Sequence, residues 1–350
     1  MTTTKAPSAA ITSFVVASRY MPVYLSLLLL LGVASIWAPA TLSNVALSSI
    51  APLGALLGIT ALGQMLVIMT GGIDLSVPGT MSLAAVIMVG VGDGSNENIG
   101  IAIVAALAAA AAVGLVNGIL IGGLKLNALI VTLAVGQIVV GVVNRYGASF
   151  PVQSPVPTGL SDWTSTRILG MSPVFWIGVG LTLVLVIGLR YTAVGRRFQA
   201  VGANPVATHV VGVRVNLNQI LVYVVAALFY AAAGVALAGL LRAPGANIGA
   251  QYLLGPIAAV VIGGASLTGG LASPLSTLAA AFFLTGLNQM MRTMGLATAL
   301  QFVVFGLVII GGMLVSGDRI IRGVEQLLRE RRRPTRSEIQ EILTPMDGTG

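Results

Sequence analysis

The sequence predicts an all-α polytopic membrane protein of about ten transmembrane helices, some of them separated by broken or re-entrant glycine-rich segments. Three observations support this class. Of the 350 residues, 56% are hydrophobic and only 8% are charged, and the mean hydropathy is +0.98. This composition is typical of membrane proteins. The apolar residues fall into runs that are each near the length a bilayer requires, and glycine-rich polar phrases interrupt them.

The runs divide the chain into a membrane domain and two tails. Arg19 precedes the first run, and no small-residue cleavage site leading into a soluble domain follows it, which predicts an anchor and not a signal peptide. We expect an N-terminal cytoplasmic tail at 1–21, a transmembrane domain at 22–316 and a basic cytoplasmic tail at 317–350. The predicted spans are 22–40, 47–69, 75–92, 99–122, 128–143, 173–189, 220–241, 256–268, 274–291 and 297–315; glycines make the span from 256 the shortest.

Basic residues set the predicted orientation. With the N-terminus inside and an even number of spans, the C-terminus also lies inside, and the basic stretch 190–219 faces the cytoplasm, as the positive-inside rule requires. The acidic turn 93–97 and the loop 146–171 then lie outside. Apolar residues at helical spacing in 320–328 predict an amphipathic helix on the inner leaflet. This distribution explains the net charge of +8 without nucleic-acid binding.

Few residues are suited to catalysis or metal binding. Cysteine is absent, His209 is the single histidine, and the only lysines are Lys5 and Lys125. We therefore expect no catalytic residue, no metal site and no cofactor bound by this chain.

Carboxylates are also scarce. No Asp or Glu occurs between Asp162 and Asp318, and Asp74 is the only one before residue 93. Ion-coupled carriers typically keep ionisable residues in the membrane as relays or ion ligands. A P-loop is also missing, because Lys125 stands between two leucines. A partner ATPase would reconcile both absences.

The basic stretch 190–219 contains a predicted short helix. Asn204 is a preferred N-cap, Pro205 suits the first helical position and Gly212 is a typical stop. A helix of about two turns is marginal in water, so it needs a surface on which to dock. The spacing leaves two possibilities open: a helix that docks on a partner, or one that lies beneath its own bundle.

The phrase at 70–79 predicts a broken helix. Gly71 and Gly72 end one helix, either Asp74 or Ser76 can cap the next, and Pro78 is tolerated in its first turn. Such a break at membrane depth must be buried in protein or line a cavity. A capped turn at the membrane surface is the alternative. A related phrase at 263–270 indicates an internal duplication.

Amide side chains and glycine stripes lie within the apolar runs. We expect most of the amides to form interhelical hydrogen bonds, with one or two lining a path. The stripes Gly54-xxx-Gly58 and Gly114-xxx-Gly118-xxx-Gly122 suit close packing, either within one bundle or at a dimer interface. The amides are Gln64, Asn117, Gln137, Asn144, Asn288, Gln289 and Gln301.

Four phrases together resemble the ribose/xylose-type sugar ABC importer permeases. They are Gly-Gly-Ile-Asp-Leu-Ser at 71–76, Ile-Val-Thr-Leu at 130–133, Ala-Val-Gly-Ala-Asn-Pro at 200–205 and Val-Ile-Gly-Gly-Ala-Ser-Leu at 261–267. The resemblance extends from about residue 46 to 315.

The resemblance implies a permease of the bacterial inner membrane that pairs with itself or with a close homologue. Its partners would be an external sugar-binding protein and two cytoplasmic ATP-binding subunits, which would hold ATP and Mg. The loop 190–219 looks like the element that couples to the ATPase, through Arg197, Asn204, Pro205, Val206, Ala207, Thr208, His209 and Gly212. The expected translocation path includes Gly71, Gly72, Asp74, Ser76, Thr132, Asn288 and Gln289.

The chain departs from the family pattern at three places. Pro78 interrupts the usual Ser-Val-Gly, Ala128-Leu129 replaces Pro-Phe, and 207–209 is Ala-Thr-His where Ala-Ala-Arg is usual.

Two other functions remain open. The same machinery could carry branched-chain amino acids, nucleosides or another small polar solute. A self-sufficient secondary carrier or channel, in contrast, would transport without any partner.

Overall fold

The computed structural model describes residues 9–149 and 155–316, and this part of the chain is built from α-helices. Its only β-pairing is an isolated bridge between Ile168 and Met171. The helices are α1 (Ala9–Trp37), α2 (Asn44–Met69), α3 (Val77–Gly90), α4 (Ile99–Gly118), α5 (Ala128–Gly147), α6 (Thr158–Ser165), α7 (Pro173–Tyr191), α8 (Ala193–Ala203), α9 (Pro205–Val210), α10 (Val215–Leu241), α11 (Gly255–Ile262), α12 (Pro274–Thr293) and α13 (Thr298–Ser316).

Six of the described helices are long and apolar enough to cross a membrane: α1, α2, α4, α5, α7 and α10. A π-helical turn, Ile119–Gly123, extends α4. These helices confirm the all-α polytopic class. The predicted tail at 317–350, including its amphipathic helix, lies outside the described residues.

Three helix boundaries differ from the predicted spans by five residues or more. α1 begins at Ala9, inside the segment expected to be a tail, and it contains Pro22. α10 begins at Val215 and not at 220, so the non-spanning part of the basic stretch is shorter than predicted. α11 stops at Ile262 because Gly264 has a φ of +84°, which ends the helix before the predicted 268.

The centre of the bundle is formed by α2 and α10. These two helices pack on each other, and between them they contact α3, α4, α7, α11 and α12. The glycine stripes allow this packing. A Cβ at Gly114 of α4 would lie 2.5 Å from the carbonyl oxygen of Tyr223 on α10, and one at Gly58 of α2 would lie 2.5 Å from a side-chain atom of Leu278 on α12. The stripes therefore pack helices within one bundle.

Basic residues concentrate at one end of the bundle, which we call the basic end. It contains the end of α7, all of α8 and α9, and the beginning of α10. Arg19 of α1 belongs to the same end, because its Nε donates to the carbonyl oxygen of Gly264 at 2.6 Å. The opposite end contains the acidic turn at 93–97 and helix α6, where Asn96 Oδ1 accepts the Gly159 N–H at 2.7 Å.

Candidate functional site

The short helix predicted at the basic end is present as α9. The Asn204 side chain accepts the Ala207 N–H at 2.9 Å, and Pro205 occupies the first turn. Gly212 has a φ of +82° and follows the last residues of the helix. The predicted cap, first turn and stop are therefore confirmed, although the helix itself ends at Val210.

One side of α9 is hydrogen-bonded to α8, and the other side is exposed. Thr208 is buried, and its hydroxyl lies 2.8 Å from the carbonyl oxygen of Ala200 on α8. Val206 and Val210 are 75% and 80% exposed, and His209 is exposed beside them. Arg197 on α8 is also exposed. The exposed side of α9 therefore presents apolar side chains that the described part of the chain does not cover.

The backbone of α8 contacts the end of α2 directly. A Cβ at Gly202 would lie 1.8 Å from the carbonyl oxygen of Met69 and 2.8 Å from the nitrogen of Gly270. The Gly270 N–H donates to the same Met69 oxygen at 2.8 Å. We call Met69, Gly202 and Gly270 the glycine junction. Gly202 lies within the Ala-Val-Gly-Ala-Asn-Pro phrase at 200–205, but its contacts were not predicted.

The helix break predicted after α2 is present, and α11 ends in the same way. Gly71 and Gly264 both have a φ of +84°. The N–H that follows each of them donates back into its helix, from Gly72 to Val67 O at 3.1 Å and from Ala265 to Val260 O at 3.2 Å. The two phrases are thus alike in geometry, with Gly71 equivalent to Gly264.

Side chains satisfy the backbone of the unwound segment between α2 and α3. The Asp74 carboxylate accepts the Ser76 N–H at 2.8 Å, and Thr132 of α5 accepts the Leu75 N–H at 2.9 Å. In the amide orientation that satisfies both of its polar atoms, Gln64 accepts the Asp74 N–H and donates to the Asp74 carbonyl oxygen, each at 3.1 Å. Broken helices at membrane depth require such partners. The Asp74 carboxylate thus accepts from Ser76, the residue before α3, and not from the first turn of α3, and the Ser76 side chain makes no cap hydrogen bond. The side-chain cap of α3 predicted for Asp74 or Ser76 is therefore not formed.

A chain of polar side chains runs from this break to α4. Ser76 Oγ donates to Asp74 Oδ1 at 2.6 Å, and Asn117 of α4 donates to Ser76 Oγ at 2.9 Å. Asp74, Ser76 and Asn117 are each at most 1% exposed. The buried atoms Asp74 Oδ2 and Asn117 Oδ1 have no hydrogen-bond partner in the described part of the chain. The hydrogen bonds of Gln64 and Asn117 confirm that these amides join neighbouring helices.

The predicted path residues occupy two places. Gly71 and Gly72 border a cavity of about 220 Å³ at the basic end, together with Lys125, Gln219 and Tyr223. Asp74, Ser76 and Thr132 lie buried beside it. Asn288 and Gln289 are elsewhere, in the half of α12 that is farther from the basic end, and α12 packs mainly on α1, α2 and α11. Sequence reasoning did not predict that Tyr223 lies over Gly72.

The fold defines a multi-pass membrane protein, and the sequence contains no P-loop. The chain belongs to the family described as branched-chain amino acid transport system permease components, whose family model matches residues 46–313. It is a multi-pass inner-membrane protein.

Relatives of this chain are named as import permeases. This chain is 32% identical to the ribose import permease protein of Escherichia coli (strain K12), over 84% of this chain and 92% of the relative. It is 31% identical to the autoinducer 2 import system permease protein of Enterobacter sp. (strain 638), over 86% and 87%. It is 30% identical to the galactose/methyl galactoside import permease protein of Escherichia coli (strain K12), over 89% and 97%. No solved structure matches the chain.

Proposed function

We propose that this chain is the transmembrane permease subunit of an ATP-driven ABC importer for a monosaccharide. The relatives named for ribose and galactose import support a sugar as cargo over branched-chain amino acids or nucleosides. In this proposal the subunit works by alternating access and catalyses no reaction. Partner subunits bind ATP and Mg and hydrolyse the ATP.

The membrane topology of the proposal has ten crossings, with both termini in the cytoplasm. The six long apolar helices provide six crossings. The other four crossings are α12, α13 and the shorter helices α3 and α11, which each lie next to a helix break. The distribution of basic residues supports this orientation. Six of them lie at the basic end of the described chain and four at the opposite end: Arg19, Lys125, Arg190, Arg196, Arg197 and Arg214 against Arg145, Arg167, Arg242 and Arg292.

The observation that carries the proposal is the geometry of α8 and α9. The apolar exposed side of α9 is suited to a groove on a partner, and Thr208 holds α9 on α8. At the same end of α8, Gly202 meets the end of α2 with no side chain between the two backbones. A displacement of α9 by an ATPase would therefore reach the break between α2 and α3 through backbone contacts.

The remaining partners and the path also belong to the proposal. An external sugar-binding protein would deliver the cargo, and a second copy of this chain or a close homologue would complete the permease. Movement at the α2–α3 break would then open the path along Gly71, Gly72, Asp74, Ser76 and Thr132. Asn288 and Gln289 would line it at another depth.

The test is co-purification of the ATPase from native membranes in mild detergent. Val210→Asp places a charge on the exposed side of α9, and we expect it to lower the recovered ATPase at least about tenfold, equivalent to about 1.4 kcal/mol of binding free energy. Val206→Asp should act in the same way. Uptake of labelled ribose, galactose and leucine by cells that express the complete transporter identifies the cargo.

Thr166→Asp provides the matched control. Thr166 is exposed at the opposite end of the bundle, so this variant should retain the ATPase. Variants are compared at equal amounts of inserted, folded chain. Wild-type protein that recovers no ATPase would overturn the importer proposal, and transport by liposomes containing this chain alone would establish a secondary carrier in its place.

A further inference from the structure

A tight turn between α6 and α7 leaves two apolar side chains, Ile168 and Leu169, half or more exposed in the described part of the chain. Ile168 and Met171 pair across the turn, with N–H to O distances of 2.8 and 3.1 Å. The two central residues, Leu169 and Gly170, have φ values of +51° and +81°. Positive φ at both central positions is typical of a type I′ turn, in which Asn and Gly are favoured.

Leu169 is an unfavourable residue for this position on two grounds. A bulky side chain at positive φ is strained, because its Cβ crowds the backbone. Leu169 is also 85% exposed, and the neighbouring Ile168 is 50% exposed. A Gly or Asn would remove both the strain and the exposed apolar surface. Burial of the Leu169 side chain in an apolar environment would offset the cost of this strain, and it would explain why a leucine occupies the position.

The turn is continuous with the exposed apolar side of α7. Trp176, in the first turns of α7, donates its indole N–H to the carbonyl oxygen of Ile168 at 2.9 Å, which holds the turn beside the helix. Farther along α7, Leu183 and Val184 are 50% and 63% exposed, on a helix long and apolar enough to span a bilayer. Tryptophan is enriched at the level of the lipid headgroups.

We propose that the turn 167–171 is a membrane anchor, with Ile168 and Leu169 inserted into the leaflet at the end of the bundle opposite α8 and α9. The lipid-facing side of α7 then extends through Trp176 into the turn. Arg167 is exposed next to the turn, where its charge would meet headgroup phosphates. This inference rests on the membrane location of the chain and not on its cargo or its ATPase.

The natural absence of cysteine makes a direct test simple. Leu169→Cys is labelled with a nitroxide in the full chain reconstituted in lipid nanodiscs. Its electron paramagnetic resonance is then measured with oxygen, which concentrates in lipid, and with a water-soluble nickel chelate. Val184→Cys is the bilayer reference. Glu97→Cys, at the same end of the bundle and exposed in the loop before α4, is the water reference.

We expect the label at residue 169 to resemble the label at 184, with oxygen accessibility exceeding that to the nickel chelate. A label that resembles residue 97 would overturn the anchor and leave the turn free for an external protein. Protection from both reagents would also overturn it, because the turn would then be covered by protein.

A second variant separates the role of the leucine from that of the turn. Leu169→Asn keeps a residue that tolerates positive φ and removes the apolar side chain. With the label at Ile168→Cys, we expect this substitution to shift the accessibility ratio toward the water reference. An unchanged ratio would contradict the role assigned to Leu169.

Discussion

At the scale of single residues, Asp74 is the only buried acidic side chain in the described part of the chain, and its contacts stabilise the break between α2 and α3. Its carboxylate accepts both the N–H and the hydroxyl of Ser76, while Gln64 pairs with its backbone. The two possibilities for this motif were a break inside the protein and a capped turn at the membrane surface. Burial of Asp74 to 1% exposure favours the first.

Removal of the Asp74 carboxylate should destabilise the subunit. Asp74→Ala leaves the buried Ser76 N–H without its acceptor, which costs about 1–3 kcal/mol. Asp74→Asn keeps an acceptor in the same place and should cost less. Thermal unfolding in detergent, followed by tryptophan fluorescence, measures both. Equal unfolding temperatures for wild type and Asp74→Ala would show that the carboxylate does not stabilise the break between α2 and α3.

At the scale of elements, the glycine junction joins three segments that are distant in sequence. α8, the end of α2 and residues 269–270 meet there through backbone atoms. The caps that define α8 and α9 are local, so the residues 204–212 were sufficient to predict α9. The junction is not local. No pattern near Gly202 reveals that Met69 and Gly270 lie against it.

Gly202→Ala should uncouple α9 from the helix break. The new methyl group would lie 1.8 Å from the Met69 carbonyl oxygen, so the backbones must separate. We expect ATP-driven uptake to fall at least about tenfold, since the loss of about 1.4 kcal/mol of coupling free energy is sufficient for that. The variant should still co-purify with the ATPase, because the exposed side of α9 is unchanged.

Gly188→Ala is the matched control for this substitution. A Cβ at Gly188, near the basic end of α7, meets no atom within 4 Å, so uptake should be unchanged. Normal uptake by Gly202→Ala would show that the glycine junction does not transmit movement.

At the scale of the whole molecule, α2 and α10 form the centre, and the remaining helices pack around them. Two similar breaks end α2 and α11 near the basic end, next to the segment that carries α9. This arrangement places α8 and α9, which do not span the membrane, at the end where basic residues concentrate. It is the arrangement expected of a subunit that receives its energy from a partner.

Transport should therefore require the complete assembly. Liposomes that contain this chain alone should not accumulate sugar, and liposomes that also contain the ATPase should do so in the presence of ATP and the loaded binding protein. An ATPase variant that binds but does not hydrolyse ATP is the control. Accumulation by the chain alone, driven by an ion gradient, would contradict this prediction.

The membrane class, the capped helix after Asn204 and the break after Gly71 were predictable from the sequence, because they depend on composition and on residues close together in the chain. The extent of α11, the partners of Asp74 and the contacts of Gly202 became known only from the packing of the helices. Thr132, Asn117 and Gln64 reach the break from three different helices, and sequence spacing does not specify such distant contacts. Packing decides them, because a buried backbone must find its hydrogen-bond partners wherever the surrounding helices bring them.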